Sequence, residues 1–271
     1  MRFLCCIALL MIAFALAAAP TQAQDTLPRV ESASCWMELP EGVTEGDNID
    51  CGYLIVPEDR GDPSSPTIQL AYAVLYAPAD VVKPDPVVYL AGGPGGNAVG
   101  ELDGWLDIPY LQDRDLILLD QRGTGYSLPS LNCPEMEQNE ENATQVCHDR
   151  LISEGVNLQA YNSAENAADV ADLRIALGYD EWNLYGISYG TRLALTVMRD
   201  HPEGVRSVVI DSVYPPEISS WEQYGQNTAD EFNKLFQGCA ADVQCSADYP
   251  NLEQAFYTTA EQLNAEPVPV Y

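Results

Sequence analysis

A serine flanked by glycines is the first place where the sequence can do chemistry. The segment Gly186-Ile187-Ser188-Tyr189-Gly190 follows an apolar run and precedes a helical pattern. A nucleophilic serine projects from a sharp strand-to-helix turn, and that turn accepts only small residues two positions before and after the serine. Gly186 and Gly190 meet this requirement. The pattern predicts that Ser188 attacks a carbonyl carbon; a glycine-rich turn with an ordinary surface serine is the alternative.

A glycine cluster after another short apolar run offers hydrogen-bond donors for the same reaction. It reads Ala91-Gly92-Gly93-Pro94-Gly95-Gly96. Acyl transfer builds negative charge on the carbonyl oxygen, so N–H donors must already point at that position. One donor is the N–H of the residue after the nucleophile, here Tyr189, and the other comes from a loop of this kind. We expect Gly93 to supply it, with Gly92 as second choice. A nucleotide phosphate loop is disfavoured because no Lys-Ser or Lys-Thr follows.

A third motif, Asp120-Gln121-Arg122-Gly123-Thr124-Gly125-Tyr126-Ser127, follows a further apolar run. An acid and an arginine at the carboxyl end of a sheet are well placed to brace a neighbouring loop. We therefore expect Asp120 and Arg122 to support the glycine loop rather than to act on the substrate.

The elements around these motifs alternate between strand and helix patterns. The short, unbroken apolar runs at 87–90 and 116–119 suit parallel strands that are covered on both faces. A helical pattern that Ser163 can cap runs to Leu177 and stops at Gly178, which is a common helix end. The predicted strands are 53–56, 68–76, 87–90, 116–119, 182–185 and 205–210, and a second helix is predicted over 191–200. This order predicts a mostly parallel sheet with helices on both faces.

The pattern changes after Pro215-Pro216. Two amphipathic helical stretches follow, near 219–238 and 251–264, with a loop between Cys239 and Cys245. We expect them to begin a helical lid. The predicted organisation is a signal peptide over 1–23, the N-terminal part of a hydrolase core over 24–214, and the beginning of a cap over 215–271.

The three motifs together resemble those of the proline iminopeptidase and tripeptidyl aminopeptidase family, serine hydrolases of the α/β-hydrolase fold. The Ile-Asp-Ser-Val-Tyr-Pro-Pro segment at 210–216 belongs to the same resemblance, which covers about 50–216. It implies that Ser188 attacks, that Gly93 and Tyr189 hold the oxyanion, and that a helical cap selects the substrate. Family members often have histidine where this chain has Ala91, a residue that shapes the loop.

The triad acid and base are the larger departure from the family. In this fold they follow the serine in the order Asp or Glu, then His. The chain has two histidines, and His148 precedes the serine while His201 lies at the far end of the following helix, which is about 15 Å long at 1.5 Å for each of its ten predicted residues. Asp211 ends the next predicted strand, but no histidine is available for it to orient. We therefore expect the sequence to be part of a longer protein whose final strands it lacks.

The N-terminus and the cysteines indicate export. Arg2, an apolar run from Phe3 to Ala19, and Thr21-Gln22-Ala23 form a secretory signal, with an uncleaved anchor as the alternative. In an exported chain an even number of cysteines predicts disulfides. Pairing between neighbours in sequence is the simplest arrangement: Cys35 with Cys51, Cys133 with Cys147, and Cys239 with Cys245. We expect these cysteines to be structural, and we expect no metal and no cofactor.

The charge balance limits the possible partners. Twelve Lys and Arg face 41 Asp and Glu, for a net charge of -29. A nucleic-acid binder needs a basic surface, so nucleic acid is excluded as a partner, and so is an anionic membrane once the signal is removed. The charge favours a hydrated surface outside the cytoplasm, secreted or periplasmic, or attraction of a cationic peptide N-terminus. No pattern specifies an oligomeric state.

These observations lead to three hypotheses. The first is an exported aminopeptidase that releases short peptides or proline-like residues through an acyl-enzyme on Ser188. The second is a carboxylic-ester hydrolase on the same fold, since fold and triad do not fix the substrate. The third is an inactive, hydrolase-like binding protein or an inactive fragment, since these residues alone lack the triad acid and base. Cap carboxylates such as Glu217, Glu222, Asp230 and Glu231 are candidates for holding a peptide amine, although solvated helix faces explain them as well.

Overall fold

The computed structural model describes residues 27–78, 80, 82–106, 108–137 and 141–269. The predicted signal peptide over 1–23 lies outside these residues. The strands are β1 (Arg29–Ala33), β2 (Ile49–Pro57), β3 (Thr67–Leu75), β4 (Val87–Leu90), β5 (Leu116–Leu119), β6 (Trp182–Ile187) and β7 (Val205–Asp211). The α-helices are α1 (Pro134–Glu137), α2 (Ala143–Ser153), α3 (Ser163–Leu177), α4 (Tyr189–Asp200), α5 (Ser220–Ala241), α6 (Val243–Asp248) and α7 (Leu252–Ala265). Short 3₁₀ helices cover Val99–Trp105, Pro109–Gln112 and Leu158–Ala160.

Within the described residues, seven strands form one mixed sheet in the order β1-β2-β3-β5-β4-β6-β7. The first three pairs in that order are antiparallel and the last three are parallel. Five strands therefore run in one direction, and only β1 and β3 oppose them. The predicted α/β-hydrolase architecture is confirmed. Its central strands, β4 and β5, are buried along their whole length, as unbroken apolar runs require.

The two faces of the sheet are covered differently. On one face, α3 and α4 pack through Val170, Leu173 and Leu193 against residues of β4 and β5. On the other face, Val99 and Leu102 of a 3₁₀ helix pack against the alternate residues of the same strands. Among the described residues this second face carries 3₁₀ turns where we expected α-helices.

The topology places two of the motifs side by side. The central strand β4 lies between β5 and β6, and Leu90 at its carboxyl end pairs with Gly186 in β6. Because β4 and β6 are parallel, the glycine loop and the serine turn emerge from the same edge of the sheet. The loop after β5 emerges from that edge as well.

The N-terminal region differs from the sequence prediction. The sequence predicted no strand before residue 53, but Arg29–Ala33 forms the edge strand β1, antiparallel to β2. The strand is short and none of its residues is fully buried, so it lacks the apolar alternation that identifies a strand. Val30 packs against the core beside it.

Helix starts also differ from the prediction. Asn162, not Ser163, caps α3, and its side chain accepts hydrogen bonds from the N–H groups of Ala164 and Glu165. Helix α4 begins at Tyr189, two residues earlier than predicted. Between β5 and α3, α1 and α2 occupy a stretch for which the sequence predicted no element.

The region after Pro216 folds as helices, and three are present where two were predicted. The expected loop between Cys239 and Cys245 is divided between the end of α5 and the short helix α6. Asp242 starts α6 because its side chain accepts a hydrogen bond from the Cys245 N–H. A cluster of aromatic rings joins α5 to α7: Phe232, Phe236, Phe256 and Tyr257. Among the described residues, none of the helices is long and apolar enough to cross a membrane.

The six cysteines outside the N-terminal segment form three disulfides between neighbours in sequence: Cys35–Cys51, Cys133–Cys147 and Cys239–Cys245. The first ties residues before β2 to that strand, and the third joins α5 to α6. The second joins Cys133, the residue before α1, to Cys147 within α2. Glu135 lies beside its sulfurs, but disulfide-bonded sulfurs are not thiolate ligands for a metal ion.

Candidate active site

Ser188 stands at the junction of β6 and α4. Its side chain is exposed, and its backbone has φ 54° and ψ -118°, a conformation that L-residues with a side chain rarely adopt. Its own N–H donates to the carbonyl oxygen of Asp211 at 2.9 Å, which fixes the turn against β7. The strained backbone turns the hydroxyl out of the sheet, as a serine nucleophile requires.

The two flanking glycines are required by close backbone contacts. A Cβ at Gly190 would collide with the carbonyl oxygen of Leu90, and a Cβ at Gly186 would collide with the carbonyl oxygen of Gly190. These contacts explain why small residues stand two positions before and after the serine. They also pack the first turn of α4 directly against the end of β4, where the glycine loop begins.

The glycine loop lies beside the serine. A Cβ on Gly92 would be 3.1 Å from the Cβ of Ser188 and 3.6 Å from its Oγ, so Gly92 is in immediate contact with the predicted nucleophile. Gly93 follows with φ +110°, a conformation for which glycine is suited. The N–H of Tyr189 is the first in α4, where N–H groups have no partner within the helix. Gly92 and Tyr189 thus adjoin Ser188, and Gly93 follows Gly92 in the loop.

Asp120 holds the segment that follows the glycine loop. Its carboxylate accepts hydrogen bonds from the N–H of Val99 at 3.0 Å and from the N–H of Tyr126 at 2.8 Å. Burial raises the pKa of this carboxyl group to about 6, although hydrogen bonds from Tyr126, Val99 and Ala98 oppose the rise. Asp120 therefore supports the loop, but it does not touch Ser188 in any contact of the structure.

Gln121 contacts the glycine loop directly. Its Nε2 donates to the carbonyl oxygen of Ala91 at 3.0 Å, and the side chain is buried. The sequence analysis missed this residue. The only available signal was its place between Asp120 and Arg122 in the motif, because a glutamine carries no charge that points to a role.

Arg122 does not brace the glycine loop as we expected. Its guanidinium forms a bidentate pair with Asp169 of α3 at 2.7 and 2.8 Å and donates to the carbonyl oxygens of Glu58 and Ala160. Successive residues leaving a strand point to opposite sides, so Arg122 turns towards α3 while Gln121 turns towards β4. Arg60 adds a second cation to the same acidic cluster on α3.

The buried Asp120 carboxyl group gives a pH-dependent prediction. In the folded state its pKa is raised from the ordinary value of 3.8 to about 6. The folded form therefore binds the proton more tightly than the unfolded form, which stabilises the fold at low pH. This stabilisation is lost as the pH rises through about 6. Asp120→Asn cannot ionise. Between pH 4 and pH 7, the unfolding free energy of the wild type should therefore fall relative to that of the variant by about 2–3 kcal/mol. Urea denaturation at both pH values measures this difference, and a constant difference would contradict the prediction.

Gln121→Leu removes the hydrogen bond to Ala91 and retains a side chain of similar size. In the protein produced from its full reading frame, we expect kcat to fall about tenfold or more while KM changes little, because loss of this bond would displace the loop that is predicted to hold the oxyanion of the transition state. Steady-state kinetics of the variant beside the wild type measure both constants. A rise in KM at unchanged kcat would show that Gln121 affects substrate binding and not the oxyanion position.

Two cavities lie near the elements that meet at Ser188. One, of about 490 Å³, is bordered by Pro94 and Gly95 of the glycine loop and by Tyr189, the residue after the serine. The other, the groove under α5, has a volume of about 670 Å³ and lies between Val213 in the segment after β7 and Phe232 of α5. Ser188 itself lines neither cavity.

The segment between β7 and α5 is fixed to the helix that carries the nucleophile. Arg192 of α4 donates to the carbonyl oxygens of Pro215, Pro216 and Ile218 at 2.9–3.2 Å. Its guanidinium also lies 4.8 Å from the ring centre of Tyr214. The groove under α5 therefore has a defined position relative to Ser188.

Neither histidine reaches the serine. His148 lies on α2, where it pairs with Asp149 at 3.0 Å, and His201 ends α4 at the opposite end from Ser188. Asp211 lies beside the turn through its backbone, and its side chain accepts a hydrogen bond from Ser212. These 271 residues therefore place the predicted nucleophile beside the predicted oxyanion loop, and neither of their two histidines reaches it.

Comparison with known proteins agrees with this geometry. The sequence matches the family described as alpha/beta hydrolase fold over residues 85–265. The chain belongs to the α/β-hydrolase family. This α/β-hydrolase therefore has a known scaffold for its serine turn, and the predicted family resemblance is confirmed.

Several relatives of this α/β-hydrolase have names that indicate hydrolysis. A putative hydrolase, YuaR, from Escherichia coli is 27% identical over 80% of this chain and 48% of its own length. Serine protease Hip1 from Mycobacterium tuberculosis is 26% identical over 86% of this chain and 50% of its own length. A probable proline iminopeptidase from Streptomyces coelicolor is 32% identical over 47% of this chain and 32% of its own length. The chain spans about half the length of the first two.

Proposed function

We propose that this α/β-hydrolase is an exported serine peptidase that releases short peptides or proline-like residues from peptide N-termini. The observation that carries the proposal is the exposed Ser188, held at positive φ between the glycine loop and α4. Its Oγ attacks the scissile carbonyl and forms an acyl-enzyme, and water then releases the acyl group. The N–H groups of Gly93 and Tyr189 hold the oxyanion.

The proton chemistry requires a histidine, which these 271 residues do not place near Ser188, and a carboxylate that orients it. We propose that both come from further residues of the same protein. The relatives are about twice as long as the matched region, and in this fold the acid and the base follow the serine in the chain. Asp120, Gln121, Gly186 and Gly190 act as support for the nucleophile and its loop.

The substrate preference is proposed from the relatives and from charge. Two relatives are named as a serine protease and a proline iminopeptidase. The net charge of -29 attracts a peptide with a protonated N-terminus. Residues 215–271 would form the beginning of a cap over the site, and residues 24–214 the core. Of the four cap carboxylates that the sequence suggests, Glu231 lines the groove under α5, where it also pairs with Lys234 at 2.6 Å.

Export is supported by the N-terminal signal pattern and by the three disulfides, which persist in oxidising compartments. The mature protein would begin near residue 24 in the periplasm or outside the cell.

The test is a substrate comparison with the protein produced from its full reading frame. Trialanine and proline 4-nitroanilides with free N-termini are compared with their N-acetylated forms as matched controls. We expect kcat/KM to be at least tenfold higher for the free forms, because an aminopeptidase reads the N-terminal charge. Equal rates for both forms would contradict the aminopeptidase proposal. Turnover of 4-nitrophenyl butyrate without turnover of either anilide would favour the ester hydrolase.

A further inference from the structure

A cleft of about 490 Å³ lies beside the glycine loop and is here called the side cleft. It begins at Pro94 and Gly95, next to the residues proposed to hold the oxyanion, and Tyr189 forms part of its wall. Asn132 and Tyr161, at the two ends of the stretch that holds α1 and α2, also line it. Its volume falls in the range of about 300–1,000 Å³ that is common for small-molecule sites.

The lining of the side cleft is polar but offers no free charge. Four carboxamides line it, from Gln121, Asn132, Asn162 and Asn166, and that of Gln121 already donates to Ala91. Arg122 is the one charged residue among those that line it, and its guanidinium is already bound by Asp169 and by two backbone carbonyls. A lining of this kind favours a neutral ligand with hydrogen-bonding groups, such as a peptide backbone, over an ion.

Asn166 has an unused donor at this site. The side chain is 8% exposed, and its Oδ1 accepts a hydrogen bond from the backbone N–H of Arg122 at 3.3 Å, which orients the amide. Its Nδ2 makes no hydrogen bond with any residue that the structure describes. Among the described residues, Arg174 Nε is the one fully buried side-chain nitrogen or oxygen without a partner, so Asn166 Nδ2 keeps access to solvent in the cleft. A ligand oxygen that reached Nδ2 would take the place of water there.

We propose that the side cleft binds the main chain of an extended peptide next to the scissile bond, and that Asn166 Nδ2 donates to one of its carbonyl oxygens. The inference rests on the proposed peptidase function and extends it by a subsite built from core residues, with no lining residue from 215–271. The side cleft would hold the part of the substrate that passes Tyr189 and the glycine loop. Asn166 is a binding residue in this proposal and does not touch the reacting atoms.

The variant Asn166→Asp tests the donor. It retains the size of the side chain and the acceptor for Arg122 N–H, and it replaces the amide donor with a carboxylate oxygen. In the full-length protein, the ratio of kcat/KM for hexaalanine to that for 4-nitrophenyl acetate should fall about tenfold, because only the peptide is long enough to enter the cleft. Asn233→Asp on the exposed surface of α5 makes the same chemical change away from the cleft and should leave the ratio unchanged.

Binding to the Ser188→Ala protein separates this inference from the proposed function. Calorimetry with hexaalanine should give a Kd about tenfold higher when Asn166→Asp is added, and Asn166→Ser serves as a second variant if the aspartate disturbs folding. An unchanged Kd and an unchanged ratio would overturn the inference and leave the peptidase proposal standing. If the wild type hydrolyses no peptide but the Kd still rises, the proposed function fails and the side cleft remains a peptide site.

Discussion

Ser188→Ala should lower kcat by about 10⁴-fold or more for every substrate that the full-length protein hydrolyses. Alanine retains the Cβ and the backbone but removes the oxygen that forms the acyl-enzyme. The serine side chain is exposed and makes no hydrogen bond with another described residue, so the fold should not depend on its hydroxyl. Steady-state kinetics with a substrate that the wild type hydrolyses measure the loss of activity. Circular dichroism of the variant measures whether the fold is retained.

Ser212→Ala is the matched control. Ser212 also has positive φ, at 61°, is exposed, and lies in the segment that follows β7 beside Ser188. Its hydroxyl donates to Asp211, so its loss should have only a small effect on activity. A large loss of activity in Ser212→Ala with little loss in Ser188→Ala would show that Ser212, and not Ser188, is the nucleophile.

Arg122→Met should reduce the unfolding free energy by about 3 kcal/mol. The side chain of Arg122 is fully buried and is shared between Asp169 and the carbonyl oxygens of Glu58 and Ala160. Methionine fills much of the volume but leaves both carbonyls without this donor and leaves Asp169 with Arg60 alone. Urea denaturation at neutral pH measures the loss.

Two further variants test the cause of that loss. Arg122→Lys retains the charge but not the fork that binds both oxygens of Asp169, so it should recover only part of the stability. Arg199→Met removes an arginine from an exposed pair with Asp200 and should leave the urea midpoint unchanged. If Arg122→Met and Arg199→Met were equally stable, the buried network would contribute nothing specific to the fold.

Local sequence patterns predicted those parts of the fold that depend on residues close together in the chain. The spacing of Gly186, Ser188 and Gly190 predicted the sharp turn because each glycine is required by a backbone contact within that turn or with β4. Apolar runs predicted β4 and β5 because strands buried on both faces need no alternation.

Features that depend on distant contacts were not predictable in the same way. Arg122 and Asp169 are 47 positions apart, and nothing near either residue indicates the partner of the other. Asn166 and Asp169 are polar residues on the buried face of α3, and this is the one signal that could have identified a site there. The edge strand β1 lacks alternation, so only its pairing with β2 defines it.

The most direct test of the central claim is covalent labelling of the nucleophile. The full-length protein is treated with a fluorophosphonate, which phosphonylates activated serines, and the adduct is located by mass spectrometry of its peptides. We predict one adduct, on Ser188, that is present in Ser212→Ala and absent from Ser188→Ala. An adduct on another residue, or no adduct on a protein that hydrolyses its substrate, would contradict the assignment of Ser188 as the nucleophile.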